Sequence, residues 1–250
     1  MTSLSVTAVN SVPAAIEQMT AISAVLPPGD GVATFNTMYL AVTKAVAAAI
    51  QDGFFTNSAF LDRLDVVFAN RYFLAFTQAE AGADIPHCWK VLWDHRAATH
   101  VAPIQFALAG MNAHINHDLA LALIDTFTEL DAGPGDAALH TDFQRVNKLL
   151  GSLDGTIRQS FETGLILTID KDLGKLPDCV DGWNITQARD AAWRDAGVLW
   201  EVRNHHTIRA GLERALDDAA AVAGACLLTP IEVHEAAECA ACKGQSSALS

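Results

Sequence analysis

The sequence predicts an all-α protein: a single-domain bundle of about seven to nine helices around a buried central helix at about 103–130. Three observations carry that expectation. Alanine is abundant while Pro and Gly are sparse, 8 and 16 residues respectively. Apolar residues recur at helical spacing, and few segments alternate with period two or gather β-branched residues. The chain of 250 residues is 51% hydrophobic, enough for one large core.

Each element follows from local signals. A first helix runs from about Val12 to Ala24 and stops at Pro27-Pro28-Gly29-Asp30. The second covers roughly Thr34 to Ile50 and ends at Asp52-Gly53. Asn57 or Ser58 caps the third, Ala59 to Gln78, which closes at Ala81-Gly82. Pro86 opens a short helix through Trp89, Trp93 and Arg96, and Pro103 opens the long central helix to about Leu130. After the loop Asp131-Ala132-Gly133-Pro134-Gly135, an amphipathic helix runs from Asp136 to about Phe161. Residues 164–183 carry no clear pattern. Asn184 caps a helix to about Val202, and a last helix covers Ile208 to Ala225. Residues 1–230 read as one helical domain and 231–250 as a polar C-terminal tail.

Charge narrows the function classes. A net charge of -13 argues against nucleic acid and anionic membranes as partners. The most apolar run, around 101–124, is interrupted by polar residues and does not read as a membrane span. The N-terminus lacks the basic region of a secretory signal, and five Cys residues at no framework spacing suit a reduced, cytoplasmic protein. The expected partner is a small-molecule substrate; the oligomeric state is open.

The chemistry-bearing feature is Met111-Asn112-Ala113-His114-Ile115-Asn116-His117-Asp118, in the middle of the apolar central helix. Buried polar groups need partners, so such a cluster is a satisfied network or a working site. At 100° per residue, His114 and Asp118 share a face with His117 beside them, while Asn112 and Asn116 point nearly opposite, together with Gln105. The helix thus presents an ionisable face and an amide face.

Two further positions stand out. Asp65 lies on an apolar stripe with Leu61, Phe68 and Tyr72, where a carboxylate needs a partner or its pKa rises. Asp65 then orients a histidine, completes a metal shell, or pairs with Arg71 or Arg189. Arg189 shares a face with Trp193 and Trp200 and either pairs with a buried carboxylate or binds a substrate group. In the tail, Cys239-Ala240-Ala241-Cys242 with His234 upstream offers zinc or a labile disulfide.

Four stretches carry a family resemblance: Leu64 to Tyr72, Gly110 to Leu119, Asp142 to Asn147, and Ala188 to Trp193. On these the chain resembles the DUF5995 proteins, common in actinobacteria. The resemblance implies an all-helical domain and no established activity. Family members often carry His where this chain has Phe106, and an apolar residue where it has His117. The shared set is then Asp65, Asn112, His114, Asn116 and Asp118. His117-Asp118 also has a superficial likeness to the HD phosphohydrolases, discounted because the pair sits within an apolar helix.

Three functional readings follow. The leading one is an enzyme acting on a small, largely apolar molecule by non-redox cyclisation, rearrangement or elimination, with no cofactor required. His114 is its acid/base, Asp118 and Asp65 orient it or set its pKa, and Asn112, Asn116, Tyr72 and Arg189 bind substrate. The alternative is a metal-dependent hydrolase holding Zn, Fe or Mn through His114, His117, Asp118 and Asp65. The third is a non-catalytic ligand-binding or scaffold protein, with the cluster as a closed core network.

Overall fold

A computed structural model describes residues 5–165 and 178–230; for 152–165, 178 and 181 it describes the backbone alone. The described residues are helical with no strand, as the composition and periodicity predict. The elements are α1 (Val12–Val25), α2 (Gly31–Gln51), α3 (Ser58–Glu80), α4 (His87–His95) and α5 (Pro103–Ala113). A π-helical turn (His114–Asp118) joins α5 to α6 (Leu119–Glu129), and α7 (Ala137–Leu165), α8 (Asp178–Gly182), α9 (Ile185–Glu201) and α10 (His206–Leu227) complete the set. No helix among the described residues is long and apolar enough to cross a membrane. Cys88, Cys179 and Cys226 are free thiols. The tail with His234, Cys239 and Cys242 lies outside the described residues.

Helix starts follow the capping chemistry of the sequence. Ser11 caps α1, and the Asn184 side chain accepts from the Gln187 N–H to cap α9. The start of α2 differs from the sequence reading: it begins at Gly31, not Thr34. Asp30 Oδ1 accepts from the N–H groups of Val32 and Ala33, while Oδ2 pairs with Arg96 Nε at 2.7 Å. A distant cation thus fixes the cap, which local periodicity does not register. Arg96 also bonds Glu80 and lies over the Trp93 ring at 4.8 Å.

The continuous run α5–π–α6 is the axis of the molecule. Nearly all its side chains are buried, and helices surround it: α2, α4 and α10 pack on α5, and α3 and α9 on α6. Close approach of α2 and α5 needs two glycines. A Cβ on Gly31 would stand 2.5 Å from the Phe106 ring, and one on Gly110 would stand 2.4 Å from the Phe35 ring. The central helix is not uniformly α. At His114–Asp118 the ladder widens, and the Leu119 N–H reaches back five residues to the His114 carbonyl.

Candidate functional site

The π turn places a carboxylate among three donors. Asp118 is 2% exposed. Its Oδ2 accepts from Trp89 Nε1 at 2.9 Å and from His114 Nδ1 at 3.0 Å, and its Oδ1 accepts from His117 Nδ1 at 2.8 Å. The expected His114–Asp118 pair is present, and Trp89 is a third donor that the sequence reading passed over. Its signal was available: a buried indole N–H needs an acceptor. Burial favours a neutral carboxyl at Asp118, but the hydrogen bonds and charges of His114 and His117 outweigh it and hold the group well below the usual carboxylate range.

The two histidines differ. His114 is fully buried, and burial lowers its pKa against the pull of Asp118. Its ring stacks on Phe68 with centroids 3.5 Å apart and meets Tyr39 edge-on at 4.5 Å. For His117 burial also opposes charge, but the Asp118 hydrogen bond and the charges of Asp118 and Asp217 prevail, so its pKa is raised.

His114 lines a cavity of about 40 Å³, room for a few waters. Its walls are apolar: Leu61, Leu64, Phe68, Met111, Ile115, Leu119 and Val146 among them, with Asp65 and Arg189 as the charged groups. Val42, Asp65 and Ile185 on its rim are half-buried, so the cavity lies close to the surface between α2, α3 and α9. Five buried side-chain polar atoms among the described residues lack a partner: His114 Nε2, Asp65 Oδ2, Arg71 Nε, Thr126 Oγ1 and Trp183 Nε1. The first two belong to residues that line this one cavity.

Among the described residues Asp65 makes no ion pair. Arg71 is engaged with Asp125, and Arg189 donates Nε to Asn147 Oδ1 at 2.7 Å and Nη2 to the Phe143 carbonyl at 3.1 Å. Burial therefore raises the Asp65 carboxyl to about 7, against the longer-range pull of Arg189. Burial likewise lowers Arg189 to about 10, opposed by Asp65 and Asp190. Arg189 lies over the Phe143 ring at 4.2 Å and so ties α9 to α7 beside the cavity.

The amide face lies elsewhere. Asn112 Nδ2 donates to the Ala220 carbonyl of α10 at 2.7 Å, and Asn112 Oδ1 accepts from Asn116 Nδ2 at 2.8 Å. Gln105 donates to the carbonyls of Leu227 and Thr229, both at 2.8 Å. These amides seat α10 and do not line the cavity. Tyr72 is also off the cavity; its hydroxyl donates to Asn36 Oδ1 at 3.2 Å. Phe68, on the Asp65 stripe, lines the cavity, as do Tyr39 and Thr43, which the sequence does not distinguish from core residues.

The four donors of the metal reading do not converge. His114 and His117 each spend Nδ1 on Asp118, and the trio whose ligand atoms come within 4.8 Å among the described residues is His87, Asp217 and Asp218 instead. Asp217 there accepts from the backbone N–H groups of His87 and Cys88 and so caps α4.

No curated protein and no solved structure matches the chain. The model of one family, described as a family of unknown function, matches residues 12–230, which takes in the cavity, the π turn and the α10 seam. The chain belongs to that family, DUF5995.

Proposed function

We propose that the protein is an enzyme that acts on a small, largely apolar organic molecule by acid–base chemistry in the cavity beside the π turn. One observation carries the reading: two buried polar atoms without partners, His114 Nε2 and Asp65 Oδ2, belong to residues of the same apolar cavity. Core networks normally close their hydrogen bonds, and an orphaned pair at a cavity calls for an occupant.

In this reading His114 is the base. Asp118 receives its Nδ1–H and leaves the Nε2 lone pair to take a proton. Trp89 and His117 hold Asp118 in place. Asp65, raised to about 7, keeps a proton near neutrality and supplies it to the substrate as the acid. Arg189 sits behind Asp65 and steadies it when it ionises. A base and an acid carried by residues of one apolar cavity support a non-redox cyclisation, rearrangement or elimination.

Incubation with a fractionated extract of small neutral metabolites, followed by mass spectrometry, tests the proposal. Wild-type protein is expected to convert one compound to an isomer or to a product lighter by one water, and His114→Phe to leave it untouched. No conversion by the wild type, or equal conversion by the variant, overturns it.

A further inference from the structure

A carboxylate can only accept hydrogen bonds. Asp118 Oδ2 faces both Trp89 Nε1 and His114 Nδ1, so the proton of the neutral His114 ring sits on Nδ1. Its Nε2 is therefore a bare acceptor, out of solvent and without a partner among the described residues. No polar neighbour at the cavity among the described residues, the Tyr39 hydroxyl and Asp65 included, bonds that nitrogen. The Thr43 hydroxyl donates to the Tyr39 carbonyl at 2.9 Å, and Arg189 directs Nε and Nη2 at α7. Phe68 covers one face of the imidazole and Tyr39 meets it edge-on. A buried acceptor left open is costly, and what closes it must bring a proton of its own.

We infer that the cavity takes small apolar compounds bearing an O–H or N–H group, which donates to His114 Nε2, and favours them over isosteres that only accept, which can pair with protonated Asp65 but leave that nitrogen open. The inference rests on the reading of the cavity as the substrate site and names the group the substrate presents there. Hydroxyl- and N–H-bearing hydrocarbons or heterocycles close that nitrogen; ethers, esters and simple ketones leave it open and bind more weakly. The physical ground is the asymmetry of polar recognition. A site built to pair a donor rejects the analogue that lacks it far more strongly than an apolar pocket rejects a missing methylene.

Two measurements on the full-length protein test this. In the free protein, long-range proton–nitrogen NMR is expected to show His114 Nε2 as an unprotonated, pyridine-type nitrogen at neutral pH. Pyrrole and furan then serve as probes of nearly equal shape, the first with an N–H donor and the second without; cyclopentanol and cyclopentanone form a second pair. Pyrrole and cyclopentanol are each expected to bind about tenfold or more tighter than their partners. Both are expected to shift the His114 Nε2 resonance, and His114→Phe to abolish the preference. A protonated Nε2, equal binding within each pair, or a preference that survives in a folded His114→Phe protein overturns the inference. If that variant does not fold, the wild-type nitrogen spectrum and probe ratios decide. Equal binding beside turnover that still needs His114 would remove the donor requirement and leave the acid–base reading intact. Donor preference without turnover of any compound would do the reverse.

Discussion

The central helix buries two polar faces at the same depth, and they are finished differently. On the amide face Asn116 bonds Asn112, Asn112 and Gln105 bond the backbone carbonyls of α10 and of Thr229 just beyond it, and among the described residues no buried side-chain polar atom of the three is left without a partner. On the ionisable face Asp118 is closed by three donors, but the network stops at His114 Nε2, and Asp65 Oδ2 is open as well. Burial of polar groups does not itself mark function, since both faces show it. The difference lies in completion: one face is a fastener, and the other ends at a cavity.

Exchange of residues on the two faces should separate these roles. The largest effect is expected at His114. His114→Phe should lower turnover by about 10²–10⁴-fold, the contribution of a positioned base, while the fold persists. Steady-state kinetics beside circular dichroism checks both halves, and retained turnover would make the ionisable face a second fastener.

Next comes Asn112→Ala, which removes the side-chain bond to the Ala220 carbonyl, leaves the Asn116 amide without its acceptor and should destabilise by about 1–3 kcal/mol. Once folded, the variant should keep its activity. Denaturant unfolding measures the loss, and a cost near zero would break the assignment of this face to α10.

Asp65→Asn addresses pH. The folded pKa of about 7 lies above that of an unfolded carboxylate, so the folded state binds the proton more tightly. The stability this contributes is present below the unfolded value and is lost as pH rises to and through about 7. The variant should therefore match wild type near pH 4 and exceed it at pH 8 by about 1–2 kcal/mol, a figure reduced for the partial exposure of Asp65. Wild-type turnover should fall on the alkaline side of about 7 as the acid ionises, and on the acid side as His114, lowered by burial, gains a proton. Equal thermal stability of both proteins at pH 8 would contradict the buried carboxyl.

The smallest effect is expected from Asn116→Ala. Asn116 is half-buried and makes one side-chain bond, to Asn112. Its loss should cost about 1 kcal/mol with turnover unchanged.

Much of the fold was legible because its signals are local. Helix periodicity, Ser11 and Asn184 as caps, and Pro103 at a first turn all act within one or two turns of chain. The division of the central helix into two faces followed from 100° per residue, and the His114–Asp118 pair from its i, i+4 spacing. The π turn was not legible, since neighbouring helices and the Asp118 network decide whether one hydrogen bond skips a residue. The start of α2 was missed for a similar reason, because Arg96 lies far from Asp30 in sequence. Asn112 and Asn116 carry the polar pattern of a binding site, and only α10 shows where their bonds go.

By itself the sequence determined the helical class, the buried central helix, and the presence there of an ionisable face opposite an amide one. Those properties depend on composition and on angles along a single chain segment. The tertiary structure decided which face closes and which stays open. Whether a buried polar atom has a partner depends on groups brought from other helices: Trp89 of α4 for Asp118, Ala220 of α10 for Asn112, and none among the described residues for His114 Nε2 or Asp65 Oδ2.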